Sequence, residues 1–137
     1  MSLVKVDLPE DRVARLTLDR PERLNALSAE MRDAMLDAVQ EALADPDIRA
    51  TVITGSARNF CAGGDISTMK DLDAEGGRTR LQAHHRLVRL LAYAEKPLIA
   101  AVEGYAMGGG AGLALLCDTI VAGAGAKVGF PFFRVGL

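Results

Sequence analysis

The chain has 137 residues, half of them hydrophobic and a quarter charged, and its 16 basic and 18 acidic residues leave a net charge of −2. This size and apolar content suit a single compact domain over residues 1–137, and the interspersed charges suggest neither a nucleic-acid partner nor an anionic membrane surface, so we expect no nucleic acid and no membrane as partners. Two isolated cysteines, no signal-peptide pattern and no uncharged run of about 20 residues lead us to expect a soluble, cytoplasmic protein with reduced thiols and no metal site.

The first part of the chain is predicted to form two strands, a helix and a third strand. Residues 4–8 and 13–19 have strand character, and residues 50–54 form a short β-branched run of the kind found in buried strands. Ser28 is suited to cap the intervening helix, which Asp45-Pro46-Asp47 would end. The apolar residues of that helix recur at helical spacing: Met31, Met35, Ala38, Val39 and Ala42. Because a helix is predicted on each side of the third strand, we expect parallel pairing.

Glycines divide the rest of the predicted elements. Residues 55–65 are expected to form a loop, and Gly76-Gly77 to break the chain before a helix over residues 81–94. That helix is predicted to bury four residues: Leu81, Val88, Leu91 and Ala92. Residues 97–102 and 119–122 are predicted strands, and residues 111–116 are apolar on every side, as in a buried helix. The order of elements indicates an α/β fold without repeats or linkers.

Residues 108–110 are three consecutive glycines at a predicted strand-to-helix junction. They do not complete a dinucleotide fingerprint, because Leu113 stands where the last glycine is required, and no GK[ST] follows. A second glycine-rich loop, residues 59–65, also follows a predicted buried strand, so both loops would open at the carboxyl ends of parallel strands. Backbone N–H groups from two such loops can form an oxyanion hole, although each loop can equally be only a tight turn.

Three segments resemble a known family in residue type, order and spacing. They are RPERLNALS at residues 20–28, RNFCAGGDI at residues 58–66 and KPLIAAVEGYAMGGGAGLALLCD at residues 96–118. Together they resemble the crotonase superfamily, also called the enoyl-CoA hydratase/isomerase family. The resemblance implies a crotonase-like ββα spiral core of parallel strands and helices. It also implies that this chain is the N-terminal half, a fragment or one piece of a larger subunit, incomplete without a C-terminal helical part.

The resemblance also implies an acyl-CoA ligand and a role for several residues. The thioester carbonyl would accept hydrogen bonds from the N–H groups of Gly64 and Gly109, which would stabilise an enolate. The substrate-binding residues would be Ala26, Leu27, Ala62, Gly63, Asp65 and Ile66. Asp65 is equally suited to cap a short helix that begins at Ile66. Coenzyme A would enter only as part of the substrate, with no metal or other cofactor, and the assembly would be a homotrimer or hexamer.

The match departs from the hydratases of the family at two catalytic positions. Their two glutamates fall on Gly112 and Phe132 here, which leaves no carboxylate pair to activate water. The segment VGFPFFRVGL resembles members that move a double bond with one carboxylate, which would lie just past Leu137. Isomerisation is therefore expected in preference to hydration. The alternatives are other crotonase chemistry, such as hydrolysis or decarboxylation, and a non-catalytic acyl-CoA-binding protein.

Other polar residues are weaker candidates for catalysis. Glu103 lies beside the glycine triplet but is more typical of a solvated strand end, and Asp118 is expected to cap or salt-link a helix end. His84 and His85 are adjacent, so at most one faces any site, and a surface or half-buried helix face is favoured for them. Cys61 has no partner base in the sequence and is expected to pack rather than act as a nucleophile.

Overall fold

A computed structural model describes residues 2–137, which contain seven strands and three α-helices. In chain order they are β1 (Val4–Glu10), β2 (Val13–Leu18), α1 (Ala29–Ala44), β3 (Ala50–Gly55), α2 (Ala74–Ala92), β4 (Leu98–Val102), β5 (Tyr105–Met107), α3 (Gly109–Leu116), β6 (Thr119–Ala122) and β7 (Lys127–Gly129). Single 3₁₀ turns lie at Pro21–Arg23, Ile66–Thr68 and Phe132–Val135. None of the helices in this part of the chain has both the length and the apolar character needed to cross a membrane.

The main sheet has the strand order β1-β2-β3-β4-β6. Only the β1–β2 hairpin is antiparallel, and β2, β3, β4 and β6 pair in parallel. A two-residue turn is enough for the hairpin, whereas each parallel pair needs a crossover, which α1, α2 and α3 supply. The α/β class and the parallel pairing predicted from the sequence are confirmed. The loops after β3 and β4 consequently leave the same edge of the sheet.

The core lies between this sheet and the buried faces of the three helices, of which α1 contributes the most residues. Alternate residues of β2 (Ala14, Leu16 and Leu18) are buried, as expected for a strand with one covered face. Ser28 caps helix α1, and its hydroxyl accepts a hydrogen bond from the Met31 N–H at 3.1 Å. All five residues predicted to line its inner face are buried. The packing of this buried face therefore fixes the position of the N-terminal turn of α1, which lies next to the site described below.

Helix α2 differs from the prediction at its start and in its buried face. Asp73 caps it by accepting a hydrogen bond from the Gly76 N–H at 2.7 Å, so the two glycines lie in its first turn and do not break the chain. Leu87 and Leu91 are the buried residues of this helix. Of the four residues predicted to be buried, Leu91 is confirmed and Val88 is half-buried, whereas Leu81 is 55% exposed and Ala92 is also exposed. The face that contacts the core runs through Leu87 and Leu91 instead.

The C-terminal segment shows two further differences. Helix α3 is not buried on every side, since Leu115 is 61% exposed while Leu113 and Ala114 are buried. Asp118 does not serve a helix end. Its carboxylate accepts a hydrogen bond from the Leu98 N–H at 2.8 Å and so holds the start of β4 beside β6.

Candidate functional site

The two glycine-rich loops meet at one place. The segment that follows β3 runs beside β5, where the Cys61 N–H donates to the Tyr105 carbonyl at 2.9 Å and the Met107 N–H to the Cys61 carbonyl at 3.0 Å. On the other side of the same segment, Leu27 and Gly64 form an isolated parallel bridge. The three sequence segments that resemble the crotonase family are thereby brought into contact.

The backbones of Gly63, Gly64 and Gly109 lie close together. A Cβ atom built on Gly63 would lie 3.4 Å from the Gly109 nitrogen, and one built on Gly109 would lie 3.8 Å from the Gly64 nitrogen. Among residues 2–137, no atom accepts a hydrogen bond from the N–H of Gly64 or of Gly109. These two donors are therefore available to a ligand at the N-terminus of α3.

All eight predicted site residues line one or both of two neighbouring cavities. The larger, of about 440 Å³, is lined by seven of them: Ala26, Ala62, Gly63, Gly64, Asp65, Ile66 and Gly109. The smaller, of about 270 Å³, is lined by Leu27 and again by Gly64 and Gly109. The structure thus brings the predicted residues together, with the two N–H donors where the cavities adjoin. Their roles toward a ligand stay predictions.

Asp65 is a structural cap. Its side chain accepts hydrogen bonds from the backbone and hydroxyl of Ser67 at the start of the Ile66–Thr68 turn, and from Arg20 Nη1 at 2.8 Å. The Ser67 hydrogen bonds, and then Arg20, lower the pKa of this buried carboxyl to about 2. The structure confirms the helix cap, and Asp65 also lines the larger cavity, so its contact with a ligand stays a prediction.

The positions of the two family glutamates carry no acid. Phe132 lines both cavities, and its ring lies 3.2 Å from where a Cβ on Gly108 would be. Gly112 lies in α3 and faces open space, since a Cβ added there would have no neighbouring atom within 4 Å. Asp65 is the one acidic residue among the described residues that line either cavity.

The other polar candidates for catalysis differ in their exposure and in whether they line a cavity. Glu103 is exposed and lines neither cavity. Cys61 is fully buried, and burial raises the pKa of its thiol to about 12, in agreement with a packing role. His85 is exposed, whereas the half-buried His84 lines the smaller cavity. Burial, followed by the charges of Arg32, His85 and Arg80, lowers the pKa of His84.

The sequence analysis missed two arginines of the smaller cavity, Arg32 and Arg80. Arg32 lies four residues after the cap Ser28 and three before Met35, so it occupies the buried stripe of α1. A charged residue at such a position was the available signal. Arg80 carried no comparable signal, because its place depends on how α2 packs.

Comparison with known proteins gives a consistent result. The family model described as Enoyl-CoA hydratase/isomerase matches residues 9–137. The chain is 45% identical over 130 residues to the 2,3-dehydroadipyl-CoA hydratase of Escherichia coli (strain K12), covering 93% of this chain and 49% of that protein. It is 39% identical over 129 residues to the crotonyl-CoA hydratase of Syntrophomonas wolfei, covering 93% of this chain and 50% of the relative.

Comparison with solved structures also shows a close match to this fold. The enoyl-CoA hydratase from Thermoplasma volcanium superposes with a TM-score of 0.94 at 32% identity, over 100% of this chain and 54% of that one. The chain therefore spans about half the length of the relatives it matches.

Proposed function

The chain belongs to the enoyl-CoA hydratase/isomerase family, and on that premise we propose that the protein binds an enoyl-CoA thioester and stabilises its enolate. The carbonyl oxygen accepts hydrogen bonds from the N–H groups of Gly64 and Gly109. The acyl group enters the smaller cavity and the pantetheine arm the larger one. In this proposal Ala26, Ala62, Gly63 and Ile66 contact the arm.

The observation that carries the proposal is the pair of N–H donors without an acceptor. Both belong to residues that line the two adjoining cavities, so one oxygen between the cavities would meet both donors. When a proton leaves the carbon next to the thioester, negative charge develops on that oxygen. Fixed backbone donors stabilise this charge without reorganising, and each is typically worth about 10² to 10³ in rate.

We further propose that the reaction is double-bond isomerisation. Hydration by the family mechanism uses two carboxylates, and the corresponding positions are Gly112 and Phe132. Moving a double bond needs one group that removes a proton from C2 and returns it at C4, and in the family members that the segment VGFPFFRVGL resembles this group is a single carboxylate. Both steps pass through the enolate that the two donors would stabilise, and neither draws on a metal or redox group.

Hydration is the second candidate, because all three proteins compared above are named as hydratases. The two reactions differ in substrate. An isomerase converts a 3-enoyl-CoA to the 2-enoyl isomer, whereas a hydratase adds water to the 2-enoyl-CoA.

Turnover of matched substrates by the native protein tests the proposal. We expect the protein to convert a 3-enoyl-CoA, which is measured as a rise in the ultraviolet absorbance of the conjugated product. With a 2-enoyl-CoA, we expect that absorbance to be lost by hydration at a much lower rate. Faster loss from the 2-enoyl-CoA would replace isomerisation by hydration. Binding without turnover of either compound would support a non-catalytic acyl-CoA-binding protein instead.

We propose that the native protein is a homotrimer or a pair of trimers, as in the family that it resembles. Support comes from exposed apolar side chains along β6 and the C-terminal turn, including Val121 and Phe133, of which the latter is 96% exposed. Light scattering on the native protein measures the number of subunits, and a monomer would contradict this proposal.

A further inference from the structure

The smaller cavity has a positive lining. Arg32 from α1 and Arg80 from α2 reach it, together with the side chains of Leu27, Met69, Leu81 and Phe132 and the half-buried His84. No carboxylate from residues 2–137 lines this cavity, and neither arginine forms a salt bridge with any described residue. Two cationic groups would not stabilise the binding of a plain hydrocarbon chain in this cavity.

Arg32 is the less expected of the two. It is only 5% exposed, and its Nη1 donates to the Leu27 carbonyl at 3.2 Å. Its buried Nε has no hydrogen-bond partner in the described chain. A buried guanidinium is costly unless its N–H groups and its charge gain partners that replace the lost hydration. Such a group is stabilised when an anion enters beside it.

Arg80 lies beside the proposed carbonyl site. Its Nη1 donates to Thr68 Oγ1 at 2.7 Å and its Nη2 to the Asp65 carbonyl at 3.4 Å, so the guanidinium is held in place. The same Nη2 lies 3.3 Å from where a Cβ on Gly64 would be. Three of its five N–H hydrogens remain to be used. Burial is the main cause of the lowered pKa of His84, and the charges of Arg32 and Arg80 lower it further, which agrees with two positive charges close to this imidazole.

We propose that the acyl group of the substrate carries a free carboxylate and that Arg32 and Arg80 bind it in the smaller cavity. The substrate class is then an unsaturated dicarboxylic acid joined through one carboxyl to coenzyme A. This inference rests on the proposed function, since it assumes that the acyl group occupies this cavity. A carboxylate accepts hydrogen bonds at two oxygens, and arginine offers donors in a matching planar arrangement.

The test compares two enoyl-CoA substrates of equal chain length, one ending in a carboxylate and one in a methyl group. We expect the native protein to favour the carboxylate by about tenfold or more in kcat/KM. Arg32→Met, which keeps much of the side-chain volume, should abolish that preference, and Arg32→Lys should keep part of it. Arg86→Met is the matched control, because Arg86 is an exposed arginine of α2 that lines neither cavity.

If both substrates are converted equally well, the carboxylate site is wrong and the proposed enzyme stands. If neither is converted, calorimetric binding of the two saturated acyl-CoA analogues and of coenzyme A itself still decides the question. Tighter binding of the carboxylate analogue, lost in Arg32→Met, would support the site without any turnover. An equal loss of affinity for coenzyme A in that variant would assign the arginine to a phosphate of the cofactor and overturn the proposal. Should Arg32→Met fail to fold, Arg80→Met is measured in the same way.

Discussion

Replacing Gly109 by alanine tests the proposed oxyanion hole while leaving the fold intact. The added Cβ would lie 3.4 Å from Leu27 Cδ1 and 3.8 Å from the Gly64 nitrogen, which are ordinary contacts. Gly109 is the first residue of α3, and alanine in a helix is more favourable than glycine by up to about 1 kcal/mol. We therefore expect the midpoint of thermal unfolding to stay the same or rise slightly.

The effect on catalysis should be large. A carbonyl oxygen must come within about 2.7–3.1 Å of both nitrogens to accept two hydrogen bonds. The new methyl group would stand beside both donors and hold the thioester away from them. Losing one such donor costs about 10² to 10³ in rate, so we expect kcat for the 3-enoyl-CoA to fall at least about 100-fold. The assay is the absorbance of the conjugated product under saturating substrate.

Gly77→Ala is the matched control, because it makes the same change in the first turn of another helix, α2, away from both cavities. No atom would lie within 4 Å of its Cβ, so we expect full folding and activity within about twofold of the native protein. If Gly109→Ala is as active as this control, the two N–H groups do not form the oxyanion hole. If Gly109→Ala is inactive but also unfolded, the distances above do not describe the site.

Three further predictions concern other parts of the site. Gly110→Ala should destabilise the fold by more than about 3 kcal/mol, which is the scale of severe core clashes. The reason is that its Cβ would lie 2.1 Å from the Cys61 carbonyl oxygen. Full native stability in urea unfolding would contradict this. Asp65→Asn should lower the free energy of unfolding by about 2 kcal/mol at neutral pH. The pKa of Asp65 falls from 3.8 to about 2 on folding, so the stabilisation by this carboxylate is present above pH 4 and is lost as the pH falls toward 2. Urea unfolding at pH 7 and pH 2.5 measures this, and an equal difference at both pH values would refute it. The double variant Gly112→Glu with Phe132→Glu should raise the rate of hydration of a 2-enoyl-CoA by about 10² or more, because it supplies the missing acid and base. A folded double variant without that gain would show that these two positions do not face the substrate.

Much of the fold was predictable because its signals are local. Ser28 and the apolar stripe from Met31 to Ala42 define α1, and the β-branched run at residues 50–54 defines β3. Parallel pairing followed from the alternation of strands and helices. The start of α2 was missed because the Asp73 cap outweighs the low helix propensity of Gly76 and Gly77, which lie in the first turn, where one N–H is satisfied by that cap.

The site was predictable only in part, because it depends on contacts between distant segments. The glycine-rich motifs identified the two N–H donors, and their order and spacing identified the family. Nothing local indicated that Arg80, on α2, would lie against Gly64, since that contact depends on the packing of two elements. Arg32 had a local signal, a charge on an apolar stripe, but its meaning is clear only once the neighbouring cavity is seen.

The three consecutive glycines have three different physical reasons to be glycine. Gly108 has a φ of +54°, which lets the chain turn from β5 into α3. Gly109 leaves room beside the two donors. Gly110 allows the helix backbone to approach the Cys61 carbonyl, a distance that any side chain would forbid. That approach holds α3 against the loop that carries Gly64, so the third glycine sets the geometry that the second one uses. A larger residue at position 110 should therefore remove both the fold and the site, whereas one at position 109 should remove the site alone.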